Sequence, residues 1–455
     1  MARHVPPFDC DIVALGPKGQ GLGSDPSGRP VRVRGGIPGS RVSVRVTGRK
    51  NGVLLARVGE LLAPPPGAVA PRCAVFGACG GCTLQRLPLE RQRELKQDFA
   101  LREIGDGLQP AEPVIHPVRG ADGAYGYRNK VELGFGPVRW LEEHQVGEVD
   151  ARGTFLGFHA PGRFDRVVDT RRCELVSEAA NTVVDVVRRH MGAEAAWDPK
   201  THTGFWRHLL IREHQGRMLV ALFTGDDAQR ALVEALDAEL PPEVVGFRWY
   251  VNRGVADVAR GDLVWARGDD HLVEQLLGKR FEVSTTSFFQ TNTRGTEVLY
   301  ATIAELCGTG GTLLDLYCGS GTIGQTLARG FDRVVGVEEN LEAIDDARRN
   351  ARHNGVAMDA IGAKVEERLD EILAAIGAGT CTIVVDPPRA GLHPKVAAAL
   401  ARVSARELIY VACNPASLGR DGRILTDGGW RATDLHTVDL FPQTGHVEVV
   451  ARFTR

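Results

Sequence analysis

The chain has 455 residues, 43% of them apolar and 25% charged, which is the composition of a globular protein of two to four domains. A net charge of −2 excludes a protein that is basic throughout, and no run of about 18 uncharged apolar residues offers a membrane span. The start, Met1-Ala2-Arg3-His4-Val5-Pro6-Pro7, has no apolar core of an export signal, so a cytoplasmic protein is expected, with its nine cysteines as thiols or metal ligands.

Residues 8–62 read as short strands with Gly-rich turns. In Val31-Arg32-Val33-Arg34 and Arg41-Val42-Ser43-Val44-Arg45-Val46 the valines take one face and mostly arginines the other. The spacing predicts a small β-barrel. Residues 1–60 carry ten Lys/Arg and four Asp/Glu, a net of +6, which fits a nucleic-acid contact as well as a solvated basic face. Ala63-Pro64-Pro65-Pro66-Gly67 is a stiff linker. A first domain is therefore placed at 1–62.

A second, mixed α and β domain is placed at 70–275. It opens on Cys73-x5-Cys79-Gly80-Gly81-Cys82, three thiols in one tight loop, and Cys173 can supply a fourth from a distance. Two Cys-x-x-Cys pairs, the usual zinc pattern, are lacking, so the donor set favours an iron–sulfur cluster over zinc. Residues 89–104 read as an amphipathic helix with Leu95, Phe99 and Leu101 among its apolar positions. Strands are expected at 131–135 and 207–212 and a helix at 228–239.

The third domain is placed at 276–455. Apolar strands at 312–317, 333–337, 382–385 and 407–412 alternate with helical patterns such as 341–354 and 395–403, the signature of a mainly parallel α/β sheet. Asp315 precedes Gly319, Gly321 and Gly324 in a G-x-G-x-x-G turn between strand and helix, and Glu338 ends the next strand, where an acid can hold ribose hydroxyls. The turn alone serves NAD or S-adenosylmethionine equally. Asp386-Pro387-Pro388-Arg389 follows the third strand, and Cys413-Asn414-Pro415 the fourth. Asp-x-x-x-Gly-x-Gly with a later Asp-Pro-Pro resembles class I methyltransferases. Arg389 stands where amino-group methyltransferases put an aromatic residue, which argues against amino nitrogen as the acceptor.

Cys413 ends a strand, where a thiolate can act as nucleophile. Methylation at C5 of uracil needs such a thiol: addition at C6 makes C5 nucleophilic, and a base must then remove the C5 proton. Glu448, in Gly445-His446-Val447-Glu448, is the candidate base, with His446 as its competitor.

With Ser287-Phe288-Phe289-Gln290-Thr291-Asn292 and the stretches 315–324, 386–392, 413–420 and 444–448, nearly the whole chain resembles the RNA 5-methyluridine methyltransferases, particularly the bacterial 23S ribosomal RNA branch. The resemblance implies a TRAM-type RNA-binding barrel at the N-terminus, a class I Rossmann-like domain at the C-terminus, and a four-iron four-sulfur site on Cys73, Cys79, Cys82 and Cys173. It implies Cys413 as nucleophile and Glu448 as base. Asp315, Gly319 and Gly321 would enclose S-adenosylmethionine with Gln290, Tyr317, Glu338 and Asp386. Tyr127-Arg128-Asn129-Lys130 resembles a stretch near the RNA, and the helix at 89–104 is expected on the C-terminal domain. The implied substrate is 23S ribosomal RNA and the implied state a monomer. The alternatives are tRNA, or an RNA-binding iron–sulfur protein whose methyltransferase fold is inactive.

Overall fold

The computed structural model describes residues 5–377 and 381–455. Residues 1–4, with Arg3 of the basic count and most of the start at which no export signal was read, lie outside the described residues. Among the described residues no helix is long and apolar enough to cross a membrane.

Residues 8–63 form one six-stranded sheet in the order Phe8–Asp11, Arg41–Lys50, Val53–Ala63, Pro30–Arg34, Gly21–Ser24, Ala14–Leu15. Strict alternation decides its faces: Val31, Val33, Val42 and Val44 are buried together with Cys10, Ile12 and Leu54, and the intervening arginines stay at the surface. A second sheet of seven strands runs from Val167–Asp169 to Asp262–Gly268, with Lys130–Val138, Trp206–His214 and Arg217–Thr224 at its centre. The expected strands at 131–135 and 207–212 lie within it, and the expected helix at 228–239 is Arg230–Ala238.

The third sheet has eight strands in the order Met358–Gly362, Arg333–Glu338, Thr312–Leu316, Cys381–Val385, Glu407–Ala412, Glu448–Thr454, Arg431–Val438, Val114–Ile115. The first five are mutually parallel, and Glu448–Thr454 runs antiparallel to its two neighbours. Successive side chains fall on opposite faces. Leu314, Leu316, Ile383, Val385, Leu408 and Tyr410 pack under one helical layer, and Leu313, Val384, Ile409 and Val411 under the other.

The helix Leu89–Ile104 stands away from its sequence neighbours. Its Ala100 and Ile104 join the core with Leu418 and Leu425 of the helix Pro415–Asp427, and Val114–Ile115 adds the last strand to the same sheet. A division of the chain at residue 275 would therefore cut a hydrophobic core.

Candidate active site

Strand register assembles this site. Leu316, Val385 and Tyr410 are partners across three parallel strands, so Tyr317, Asp386 and Cys413 emerge at one carboxyl-terminal edge. Ala412 pairs with Val449 in the antiparallel neighbour. One step beyond that pair, Glu448 begins its strand beside the point where Cys413 leaves its own. Ligand clefts in such sheets form at this edge.

A cavity of about 970 Å³ opens there, lined among others by Phe288, Gln290, Tyr317, Gly319, Glu338, Asp386, Arg389, Cys413, Arg420 and Glu448. Seven sequence-expected residues thus share one wall. Asp315 and Gly321 do not line it. Asp315 sits fully buried behind the turn, with Oδ2 accepting from Gly324 N–H at 2.9 Å and Oδ1 unpartnered. Gly319 at φ 54 and Gly321 at φ 75 take the left-handed conformation that a tight turn requires. Tyr317 shares it at φ 63, an uncommon state for a residue with a side chain and of the kind that clusters at functional sites. Gly319 N–H donates to Glu338 Oε2 at 3.2 Å, which ties the glycine turn to the acid of the next strand.

Gln290 is placed from two sides. Asn292 caps the helix Thr293–Leu306, accepting from Gly295 N–H at 3.0 Å. Asn129 donates to Gln290 O at 3.0 Å and to Thr293 Oγ1 at 2.9 Å. The Tyr127–Lys130 stretch thus acts here as a support. Sequence reading missed that support, and no local pattern marks it.

The 386–392 loop is pinned by Asp421, whose Oδ2 accepts from Leu392 N–H at 2.8 Å and from Tyr410 O–H at 2.7 Å. Asn414 donates to Arg389 O at 2.9 Å. Arg389 Nη2 donates to His446 Nδ1 at 2.7 Å. Sequence reading took Arg389 only as a missing aromatic; the structure makes it the cation facing the thiol. Phe288, 76% exposed, stands at the rim.

The electrostatics favour the protonated forms. Burial, then the charges of Glu448 and Asp386, push the Cys413 thiol up to about 11, and Arg389 opposes them. Burial and then Asp386 hold Glu448 well above the usual carboxylate range, with Arg389 again opposing. Burial pushes Asp386 up to about 7. His446 is lowered to about 4 by burial and then by Arg389, so near neutrality it is uncharged and can accept the guanidinium hydrogen bond.

Asp315 gives a stability prediction. Burial pushes it up to about 7, far above its value in an unfolded chain. Between pH about 4 and 7 the unfolded chain releases a proton that the native state keeps, so native stability falls as pH rises through that window. Asp315→Asn keeps an acceptor for Gly324 N–H and removes this cost. It is expected to leave Tm unchanged near pH 4 and to raise it above pH 7, with an upper bound of about 4 kcal/mol, as thermal melts across pH would show.

A second constellation lies apart. Cys73, Cys79, Cys82 and Cys173 line one cavity of about 440 Å³ together with Gly80, Gly81 and Arg128. Burial raises all four thiols, Cys79 to about 11 and Cys82 to about 12. Among the described residues no group of three or more His, Cys, Asp or Glu side chains is closed to a metal-ligating arrangement. Cys307 and Cys381 have no place in either site, and Cys10 and Cys318 are buried.

The family described as tRNA (Uracil-5-)-methyltransferase matches residues 269–454. A Chlorobaculum tepidum protein named an uncharacterized RNA methyltransferase is 36% identical over 456 residues, covering 95% of this chain and 93% of its own. A Caldanaerobacter subterraneus protein of the same description is 35% identical, with 95% of each covered. The crystal structure of Pyrococcus abyssi tRNA (uracil-54, C5)-methyltransferase in complex with S-adenosyl-L-homocysteine superposes with a TM-score of 0.73 at 25% identity, over 98% of this chain and 100% of that one. With 36% identity across nearly its whole length to a protein named an RNA methyltransferase, the chain belongs to the RNA methyltransferases, and its residues 269–454 match the tRNA (Uracil-5-)-methyltransferase family.

Proposed function

We propose that this protein methylates C5 of a uridine in RNA with S-adenosylmethionine as donor, through a covalent bond between Cys413 and C6. The observation that carries the reading is the register that sets Cys413 beside Glu448 on the wall shared with the glycine turn. S-adenosylmethionine, when bound, supplies the methyl group. The residues fit it: Glu338 at the strand end for the ribose, Gly319 on the cavity wall, and Gln290, Tyr317 and Asp386 around the same space.

Cys413 attacks C6 as thiolate, and the electron pair moves toward C5 and O4. C5 takes the methyl group. Glu448, as carboxylate, then removes the C5 proton, the pair re-forms C5=C6, and the Cys413 thiolate leaves. A carboxylate held above its usual range is the stronger base for that step. The target must leave the base stack to meet Cys413 inside the cavity, and loop uridines cost least to extract.

Ribosomal RNA is the first substrate to test, on the presence of the barrel and the four-cysteine loop. A tRNA is the second, because the solved archaeal tRNA enzyme matches the full length of the chain. Methylation of unmodified ribosomal RNA and tRNA with labelled donor, followed by mapping of the labelled nucleotide, decides between them. Donor binding with transfer to neither would support an inactive RNA-binding protein.

The barrel is read as an RNA-contact surface. Arg49 and Lys50 are exposed at the end of Arg41–Lys50, whereas Arg45 and Arg57 pair with Glu143. Arg49→Ala with Lys50→Ala should weaken RNA binding and flatten the slope of log affinity against log salt by about 0.7–0.9 per lost phosphate contact. An unchanged slope in filter-binding titrations counts against it.

The four thiols facing one cavity fit a four-iron four-sulfur cluster, which Cys73, Cys79, Cys82 and Cys173 would hold as thiolates. Its part there is to cross-link the 73–82 loop to the region of Cys173. Protein purified without oxygen should be brown and contain iron and sulfide. Stoichiometric zinc without iron would overturn this.

A further inference from the structure

Glu448 enters the cavity at the end of an irregular segment, residues 439–447, between the strands Arg431–Val438 and Glu448–Thr454, and His446 of that segment meets Arg389. Its hub is Gln443, buried and left-handed at φ 69. The Gln443 carbonyl accepts from Thr83 N–H at 2.9 Å and Leu84 N–H at 3.0 Å, the two residues that follow Cys82. Its own N–H donates to Gln92 Oε1 at 2.8 Å, and its Oε1 accepts from Gln92 Nε2 at 3.0 Å. Gln92 also donates to Leu87 O at 2.9 Å, so both glutamines are locked into one buried network.

The neighbouring residues are tied in the same way. Pro442 O accepts from Tyr127 O–H at 3.0 Å, and Phe441 O from Lys96 Nζ at 2.9 Å. Lys96 pairs with Asp439, both fully buried. A Cβ on Gly445 would lie 2.3 Å from Gly19 Cα, so only glycine lets the barrel turn sit against the segment. The segment before the proposed base is therefore held by the cysteine loop, by the helix Leu89–Ile104 and by the barrel.

We propose that Gln443 is a positioning residue for Glu448, and that through it the state of the four-cysteine loop is transmitted to the base. The inference rests on the reading of Glu448 as base. Thr83 N–H belongs to the peptide joining Cys82 to Thr83, so any movement of Cys82 turns a donor away from Gln443 O. Leu84 N–H is the other donor, so Gln443 O would be left with one of its two hydrogen bonds. A loop cross-linked through its thiols fixes the turn; a loop with a loosened Cys82 frees it. The consequence falls on the last step, because Cys413 and the cofactor cradle stand on other strands.

Two variants read the network from opposite ends. Gln443→Gly keeps the backbone conformation and the carbonyl but removes the side-chain bond, and Gln92→Ala removes its partner. Each should lower kcat about tenfold or more, leave the affinity for S-adenosylmethionine unchanged, and accumulate methylated RNA–enzyme adduct on denaturing gels. Their effects should not add in the double variant. Cys82→Ser should accelerate amide hydrogen exchange in residues 439–447, a readout that needs no turnover. Adduct release at the wild-type rate by both Gln443→Gly and Gln92→Ala, while Glu448→Gln stalls, overturns the inference and leaves the base reading standing. Unchanged exchange in Cys82→Ser overturns the transmission. Release at the wild-type rate by Glu448→Gln removes the base reading, and this inference with it.

Discussion

Cys413→Ala is expected to lose methyl transfer by at least about a thousandfold, the scale on which removal of a nucleophile acts, while binding S-adenosylmethionine nearly as well as the wild type. The proposed cofactor cradle lies at the ends of the strands Thr312–Leu316 and Arg333–Glu338, and among the described residues no hydrogen bond of the glycine turn runs to Cys413. RNA carrying 5-fluorouridine should trap wild-type protein as a covalent complex, because fluorine cannot leave as a proton does, and the variant should form none. The thiol adds a pH dependence. With Cys413 pushed up to about 11, the thiolate fraction rises about tenfold per pH unit through the neutral range. Trapping should therefore accelerate with pH, and at neutral pH Cys413 should react with iodoacetamide more slowly than an ordinary cysteine. Arg389 works against burial, so Arg389→Met should slow alkylation further. Turnover retained by Cys413→Ala would end the covalent reading.

Glu448→Gln should stop the reaction one step later. The amide keeps the shape of the side chain at a site only 5% exposed, but it cannot take a proton. Addition and methylation should proceed once, and release should fall by two to four orders of magnitude, roughly the span of general-base catalysis. The species to look for is a methylated RNA–enzyme adduct that survives a denaturing gel. The native carboxyl must also lose its own proton before it can act. Because burial and Asp386 hold it well above the usual carboxylate range, release by the wild type should still rise with pH above that range before it levels. His446 has less claim to the role, since its ring is engaged by Arg389 at 2.7 Å. Release of 5-methyluridine at the wild-type rate by Glu448→Gln would transfer the assignment to His446.

Much of the architecture is legible in sequence because its cause is local. The alternation of valine and arginine at 31–34 and 41–46 fixes which side of the N-terminal sheet is buried, and the apolar runs at 312–317, 382–385 and 407–412 can be satisfied only between two helical layers. The glycine turn and the strand-end positions of Asp386 and Cys413 follow from the same short-range rules.

Three things follow only from the tertiary structure, because each depends on pairing between residues far apart in the chain. By pattern alone Glu448 is an exposed acid on a terminal strand; the antiparallel register that pairs Ala412 with Val449 buries it beside Cys413. The helix Leu89–Ile104 is amphipathic in sequence, but only Leu418 and Leu425, more than three hundred residues on, decide which core receives it. Asp315 reads as a cofactor ligand by its place in the motif, whereas its hydrogen bond to Gly324 N–H puts it behind the turn. The sequence by itself determined which residues are the candidates for the chemistry, since motif and strand pattern act over a few residues. The fold alone decided their ionisation and mutual placement, since burial and register are properties of the whole packed chain.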